Sequence, residues 1–133
     1  MFFKVPVQDL QSVVQLFQED CNGEVSHRVD FGRFFVDSEE NELLLRFNPH
    51  AKTIIVARIA FRHTRKGYGT KFLQLLRDFA GKHGFTRIVF ESVLTPEAVS
   101  FLRKHGFRVS ESSLAGGGSH LQDGLGCDWV LGI

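Results

Sequence analysis

The hydrophobic period of the chain changes abruptly within the stretch TIIVARIAFRHTRKGYGTKFLQLLRDF, which begins at Thr53. Its first nine residues are mostly apolar, as in a strand of a sheet. After the glycines Gly67 and Gly69, apolar residues recur at the spacing of a helix. The positions on this helical stripe are Phe72, Leu75, Leu76 and Phe79. The stretch therefore predicts a strand, a tight turn and a helix of about four turns.

The next apolar run, TRIVFESVL, predicts a second strand, and a strand-helix-strand unit implies a right-handed parallel crossover. Upstream, FGRFFVDS, ELLLRFN and TIIVARIAF are separated by short turn-like segments, which predicts an antiparallel meander. The sheet is therefore expected to be mixed. Before the meander we expect a short strand at residues 2–7, a helix at 9–19 capped by Asp9, and a loop, with room for a short helix, at CNGEVSHRVD.

Downstream, Thr95 predicts a helix cap, with Pro96 at the first helical position and Glu97 in the first turn. Both main helices end in KHGF, a sequence typical of a glycine C-cap followed by a packed aromatic residue. FRVSESSL predicts a strand, LAGGGSHLQDGLG a glycine-rich connection and CDWVLGI a closing strand. We expect one domain spanning residues 1–133.

Composition excludes several classes of function. Sixteen Lys and Arg against fifteen Asp and Glu leave a net charge of +1, which argues against a nucleic-acid or membrane-surface partner, although a basic patch lies around the glycines. The histidines form no metal-binding pattern, so no metal site is expected. Cys21 and Cys127 match no disulfide framework, and no apolar run is long enough for a signal or a membrane span. These features predict a cytoplasmic protein with reduced thiols.

The glycine turn has two interpretations. Glycine leaves room for a phosphate, and the first N–H groups of a helix favour an anion. Arg65, Lys66 and Lys71 add positive charge, but any strand-to-helix turn can use two glycines. The stretch matches neither a Walker A loop nor GxGxxG. From this pattern alone, a simple turn and a phosphate-binding loop both remain open.

A family resemblance favours the second interpretation. RKGYGTKFL, after its strand, resembles motif A of GNAT acetyltransferases, and T95PEAVSFLRKHGF resembles a downstream segment of the same family at Ala98, Phe101, Gly106 and Phe107. The resemblance implies an α/β (α+β) GNAT fold, a mixed, mostly antiparallel central sheet of about six to seven strands flanked by about four helices. It also implies an N-acetyltransferase that uses acetyl-coenzyme A and a primary amine, by direct attack without a covalent enzyme intermediate.

The same resemblance implies a cofactor site. Backbone N–H groups of the glycine loop would bind the pyrophosphate of coenzyme A, and the preceding strand would run along the pantetheine arm. The residues implied are Ala57, Arg58, Ile59, Thr64, Arg65, Lys66, Gly67, Tyr68, Gly69, Thr70 and Phe101.

Three residues depart from the family pattern. Thr64 replaces the usual Arg or Gln, Thr95 the usual Asn, and Leu102 the tyrosine that protonates the leaving thiolate in many relatives. Candidates for the general base are Glu91, Glu24 and His27. The departures leave an alternative open, a catalytically degenerate domain that binds coenzyme A or a protein partner. The acceptor is expected to be a small-molecule amine or an amine of a peptide or protein, and the sequence does not choose between them. It also does not predict whether the protein is a monomer or a homodimer.

Overall fold

The computed structural model describes residues 3–21, 23–63, 67–111 and 124–133. Within them, the α-helices are α1 (Gln11–Cys21), α2 (Tyr68–His83) and α3 (Pro96–Lys104), and a short 3-10 helix (Val7–Leu10) precedes α1. The strands are β1 (Ser26–Asp30), β2 (Arg33–Asp37), β3 (Glu42–Asn48), β4 (Thr53–Ala60), β5 (Arg87–Val93), β6 (Arg108–Val109) and β7 (Cys127–Gly132).

The seven strands form one sheet in the order β1-β2-β3-β4-β5-β7-β6. Strands β1 to β4 make an antiparallel meander, β4 and β5 are parallel, and the remaining pairs are antiparallel. Helix α2 is the crossover between the two parallel strands. The predicted mixed, mostly antiparallel sheet is therefore confirmed, as is the meander.

The described helices pack on the same face of the sheet. The ring of Phe79 in α2 lies 5.5 Å from that of Phe47 in β3, between centroids, and Phe107 after α3 packs edge-on against Phe90 of β5 at 5.3 Å. The strand register places Phe47 and Phe90 on one face. Helix α1 packs against α2 on the same side. Most buried apolar side chains lie in this layer.

The other face carries one apolar side chain from each of five neighbouring strands, and all five are half-buried: Phe35, Leu44, Ile55, Val89 and Val130. Charged residues such as Arg46 and Glu91 lie among them. None of the three described helices covers this face, which we call the open face.

The helix ends follow the predicted signals. The Thr95 hydroxyl accepts a hydrogen bond from the N–H of Ala98 at 3.2 Å. Gly84 and Gly106 take the left-handed conformation with φ of 77° and 89°, and each KHGF segment turns its phenylalanine into the core.

The N-terminal predictions were wrong in two respects. Residues 3–7 pair with none of the described strands, because Phe3 packs its ring against Phe47 and Phe85 and Val7 already begins the 3-10 helix. Asp9 does not cap α1, because its carboxylate accepts hydrogen bonds from Lys82 and His83 at the end of α2.

The segment predicted as a loop after α1 contains β1. Its side chains are mostly exposed, but its backbone pairs with β2 from Ser26 to Asp30, so it is an edge strand. The described residues accordingly contain three α-helices instead of about four. Of FRVSESSL, Arg108 and Val109 are in a strand. Residues 112–123, which include most of the predicted glycine-rich connection, lie outside the described part of the chain.

Candidate functional site

The parallel strands β4 and β5 stop pairing halfway along their length. Their last register pair is Val56 with Phe90, although both strands continue for three or four more residues. A bulge at Ala57 shifts the register of β4 against β3, and Ser92 has a positive φ of 50° where β5 shifts against β7. Bulges bend a strand. Together these features form a strand fork between residues 57–60 and 91–93.

The fork leaves backbone hydrogen-bonding groups available. The edge of residues 57–60 that faces β5 has no strand partner in the described part of the chain. Unpaired N–H and C=O groups of this kind require water or a ligand. Ala57 and Ile59 are half-buried and Arg58 is exposed, so an extended ligand can reach this edge.

Helix α2 begins at the same end of β4. Its N-cap, Gly67, has a φ of 79° and provides no side-chain cap, and the first helical bond runs from Lys71 N–H to Gly67 C=O at 3.0 Å. The N–H groups of Tyr68, Gly69 and Thr70 therefore precede the hydrogen-bonded ladder, where the helix carries partial positive charge. Among the described residues, no atom lies within 4 Å of the Cβ that another residue would have at Gly67, so they leave the space above the turn open.

Gly69 lies at a close contact between α2 and α3. A Cβ built on it would lie 3.2 Å from two ring carbons of Phe101, which is tighter than an ordinary contact. The second glycine thus lets α3 pack close to the turn. This contact brings Phe101 beside the start of α2.

The side chain of Tyr68 packs against aromatic neighbours. Its ring stacks on Phe61 at 5.8 Å, and Phe61 stacks on Phe17 of α1 at 4.7 Å. This arrangement matches a packing role better than a catalytic one. The three other predicted loop residues, Thr64, Arg65 and Lys66, lie outside the described residues.

A buried carboxylate, which the sequence analysis missed, holds the two residues just before this loop. The Asp20 side chain is 0% exposed and accepts hydrogen bonds from the backbone N–H groups of Arg62 and His63, and from the side chain of Asn41. A sequence signal was present, because Asp20 follows Val13 and Phe17 on the apolar stripe of α1. A carboxylate on such a stripe requires partners.

The structure separates the three predicted general bases. Glu91 follows Phe90 at the fork, and its carboxylate pairs with the Arg46 guanidinium on the open face. His27 is exposed on β1, three strand spacings or about 14 Å from β4. Glu24 is exposed in the loop after α1 and lines a cavity of about 260 Å³ with Glu39, Glu40 and Arg62. Only Glu91 of the three lies at the fork.

Leu102, in the place of the family's usual tyrosine, is 1% exposed. Its hydrocarbon side chain has no proton to donate, and it packs in the core under α3. A cavity of about 500 Å³ lies at the far end of the sheet, lined by residues such as Phe31, Arg33, Arg46 and His50. None of the predicted site residues that the structure describes lines that cavity.

The family model of the acetyltransferase (GNAT) family matches residues 10–107. The chain belongs to this family. No curated protein matches the sequence. No helix among the described residues is long and apolar enough to cross a membrane.

Solved structures of the same fold resemble the chain at low identity. The PaiA N-acetyltransferase of Thermoplasma acidophilum, in complex with coenzyme A, is 12% identical with a TM-score of 0.55, and the match covers 98% of this chain and 97% of that one. Tetrahymena GCN5 is 14% identical with a TM-score of 0.55, covering 96% and 88%. Nourseothricin acetyltransferase is 17% identical with a TM-score of 0.54. The match covers 75% of this chain, and this chain spans 64% of the length of that protein.

Proposed function

We propose that the protein is a single-domain, cytoplasmic N-acetyltransferase that moves an acetyl group from acetyl-coenzyme A to a primary amine. One observation carries the proposal: the strand fork and the start of α2 both lie at the carboxyl end of β4. The N-cap of α2 is a glycine, so no side chain caps its first N–H groups. An extended edge and an anion-binding helix end are adjacent there. Membership of the GNAT family supports the same assignment, and the free Cys21 and Cys127 suit a reducing compartment.

The described residues fit coenzyme A. The open space above Gly67 suits a pyrophosphate, which would accept hydrogen bonds from the N–H groups at the start of α2. The free edge of residues 57–60 suits the amide-containing pantetheine arm. When bound, acetyl-coenzyme A supplies an activated acetyl thioester. A backbone N–H of this edge would stabilise the developing oxyanion, an effect of about 3 kcal/mol per donor.

The amine would approach from the open face, where the carboxylate of Glu91 lies at the fork. This carboxylate would accept the amine proton directly or through one water molecule. The ion pair with Arg46 holds the side chain at that position. Glu24 and His27 remain alternatives only if the acceptor site extends toward β1.

A second candidate function is binding of coenzyme A without catalysis. Leu102 favours it, because a leucine at that position cannot act as the acid that the usual tyrosine provides. A free thiol has a pKa of about 8.5, so a thiolate can leave near neutral pH without an acid, but more slowly. Thiol release from acetyl-coenzyme A with a panel of primary amines separates the two functions. Turnover supports the enzyme, whereas coenzyme A binding without turnover supports the binding domain.

The cofactor site is tested by combining Gly67→Ala with Gly69→Asp. The new carboxylate would repel phosphate, and its Cβ would meet Phe101, so we expect at least a tenfold loss of coenzyme A affinity by calorimetry. Gly81→Asp is the matched control, because Gly81 is an exposed residue near the other end of the same helix and no described neighbour lies within 4 Å of its Cβ position. Unchanged affinity in the folded double variant would contradict the proposed site.

A further inference from the structure

We infer that Asp20 is a positioning residue for cofactor binding, which fixes the chain immediately before the glycine loop. The inference rests on the proposed function. Asp20 is at the end of α1, distant in sequence from the loop, and no motif includes it. Its carboxylate is fully buried, with the side chain 0% exposed.

Four hydrogen bonds converge on this carboxylate. The backbone N–H groups of Arg62 and His63 donate to it, the latter at 2.9 Å, and the Asn41 amide donates from the β2–β3 connection. The His63 ring Nδ1 lies 2.9 Å from the carboxylate and 3.0 Å from the Asp20 carbonyl oxygen. Because both neighbours are acceptors, this nitrogen carries the proton.

These bonds fall on the segment that joins the fork to the glycine turn. Strand β4 ends at Ala60 and α2 begins at Tyr68, so Arg62 and His63 have no strand or helix ladder to hold them. Arg62 has two further contacts on the same side, to the Cys21 carbonyl oxygen at 3.3 Å and to Glu40 at 2.7 Å. The end of α1 is therefore the main described anchor of this segment.

Burying the Asp20 carboxylate costs free energy, which a residue with only a packing role would avoid. A buried carboxylate is unfavourable in an apolar layer, and an apolar residue would suit the α1 stripe better. Asp20 instead accepts two successive backbone N–H groups, which sets the direction in which the chain leaves β4. Small displacements of a binding group can cost large factors in binding or rate. Binding of the pyrophosphate would be weakened by such a displacement, because it depends on the position of the loop.

The test compares Asp20→Asn with Asp9→Asn in the full chain. Both changes remove a carboxylate that links α1 or its preceding turn to other segments, but Asp9 is bonded to Lys82 and His83 at the far end of α2. We expect Asp20→Asn to weaken coenzyme A binding about tenfold and to lower kcat/KM for acetyl-coenzyme A. The kcat/KM for acetyl-pantetheine, which lacks the pyrophosphate, should change less than twofold. Asp9→Asn should leave both donors unaffected.

A milder variant keeps the test decisive if Asp20→Asn does not fold. His63→Ala alters a half-exposed side chain and removes one of the four bonds, so a loss of about threefold in coenzyme A affinity is expected. Equal losses for both donors, or coenzyme A affinity that is unchanged in the folded variants, would overturn the positioning role while leaving the proposed function intact. If the unaltered protein binds no coenzyme A, the proposed function itself fails, and this inference fails with it.

Discussion

At the scale of single residues, Glu91 combines two properties that a general base needs. It lies at the fork, and its carboxylate is only partly exposed, at 35%, and oriented by Arg46. Glu24 and His27 lack the first property, because they lie on the α1–β1 side of the sheet. The sequence predicted all three as equal candidates, since spacing along the chain does not reveal which strand neighbours the fork.

We therefore expect Glu91→Gln to reduce kcat about 100-fold, since general base catalysis typically contributes 10² or more. The amide keeps the shape of the side chain but cannot take a proton. Glu24→Gln and His27→Gln serve as controls and should stay within about twofold of the unaltered enzyme in steady-state assays. A larger loss of kcat in either control than in Glu91→Gln would identify that control residue as the base.

Asp20 also predicts how stability changes with pH. Burial raises the pKa of its carboxyl group, but the hydrogen bonds from the His63 and Arg62 backbone and from the Asn41 and His63 side chains outweigh burial and lower the pKa below the ordinary 3.8. A carboxyl group with a lowered pKa in the folded state stabilises the fold above its unfolded pKa. That contribution is lost as pH falls below about 3.8 toward the lower folded pKa.

The measurement is the free energy of unfolding in urea between pH 5 and pH 2.5. The free energy of unfolding should fall less steeply with decreasing pH in Asp20→Asn than in the unaltered protein, because the titrating carboxyl group is gone. Some acid dependence should remain, since hydrogen bonds from Lys82 and His83 also lower the pKa of Asp9. Parallel curves for the two proteins would mean that Asp20 titrates equally in the folded and unfolded chains.

At the scale of elements, prediction from sequence succeeded where burial set the pattern. The apolar stripe of α2 and alternate residues of β3, β4 and β5 face the core, so each of these elements left a periodic signal, and the cap of α3 left a local one. Strand β1 left none, because its side chains are mostly exposed and only its backbone pairing with β2 defines it. At the N-terminus the prediction failed for the opposite reason, because an apolar signal was present without a strand. Phe3 and Val5 are apolar because they pack on the core.

The cap of α3 allows a quantitative check. Thr95→Ala removes the hydrogen bond to Ala98 N–H, and we expect it to lower the free energy of unfolding by about 1 kcal/mol. Ser100→Ala is the matched control, because Ser100 is exposed within the same helix and alanine has the higher helix propensity. That change should raise stability by a few tenths of a kcal/mol. Denaturant titrations that gave both variants the same sign would contradict the role of the cap.

At the scale of the whole molecule, one sheet connects every part of the candidate site. The fork belongs to β4 and β5, the glycine turn follows β4, and α1 holds Arg62 and His63, just before the loop, from the side of β1. The sequence predicted the order of these elements and the loop itself, because their residues carry local signals. It did not predict the fork or the anchor at Asp20, since both arise from where strand pairing ends and from contacts between segments about 40 residues apart.

This connection predicts how the protein unfolds and how coenzyme A changes that unfolding. If the chain is one domain, heating should give a single transition, with the calorimetric enthalpy equal to the van't Hoff enthalpy. Coenzyme A at 100 times its Kd should add about 2.7 kcal/mol to the folded state and raise Tm by several degrees. The gain should appear in the whole transition, because the ligand contacts elements that unfold together. The Gly67→Ala, Gly69→Asp variant should lose this shift, while Gly81→Asp keeps it. Two transitions, of which coenzyme A moved only one, would show instead that the site lies in a separately folding part of the chain.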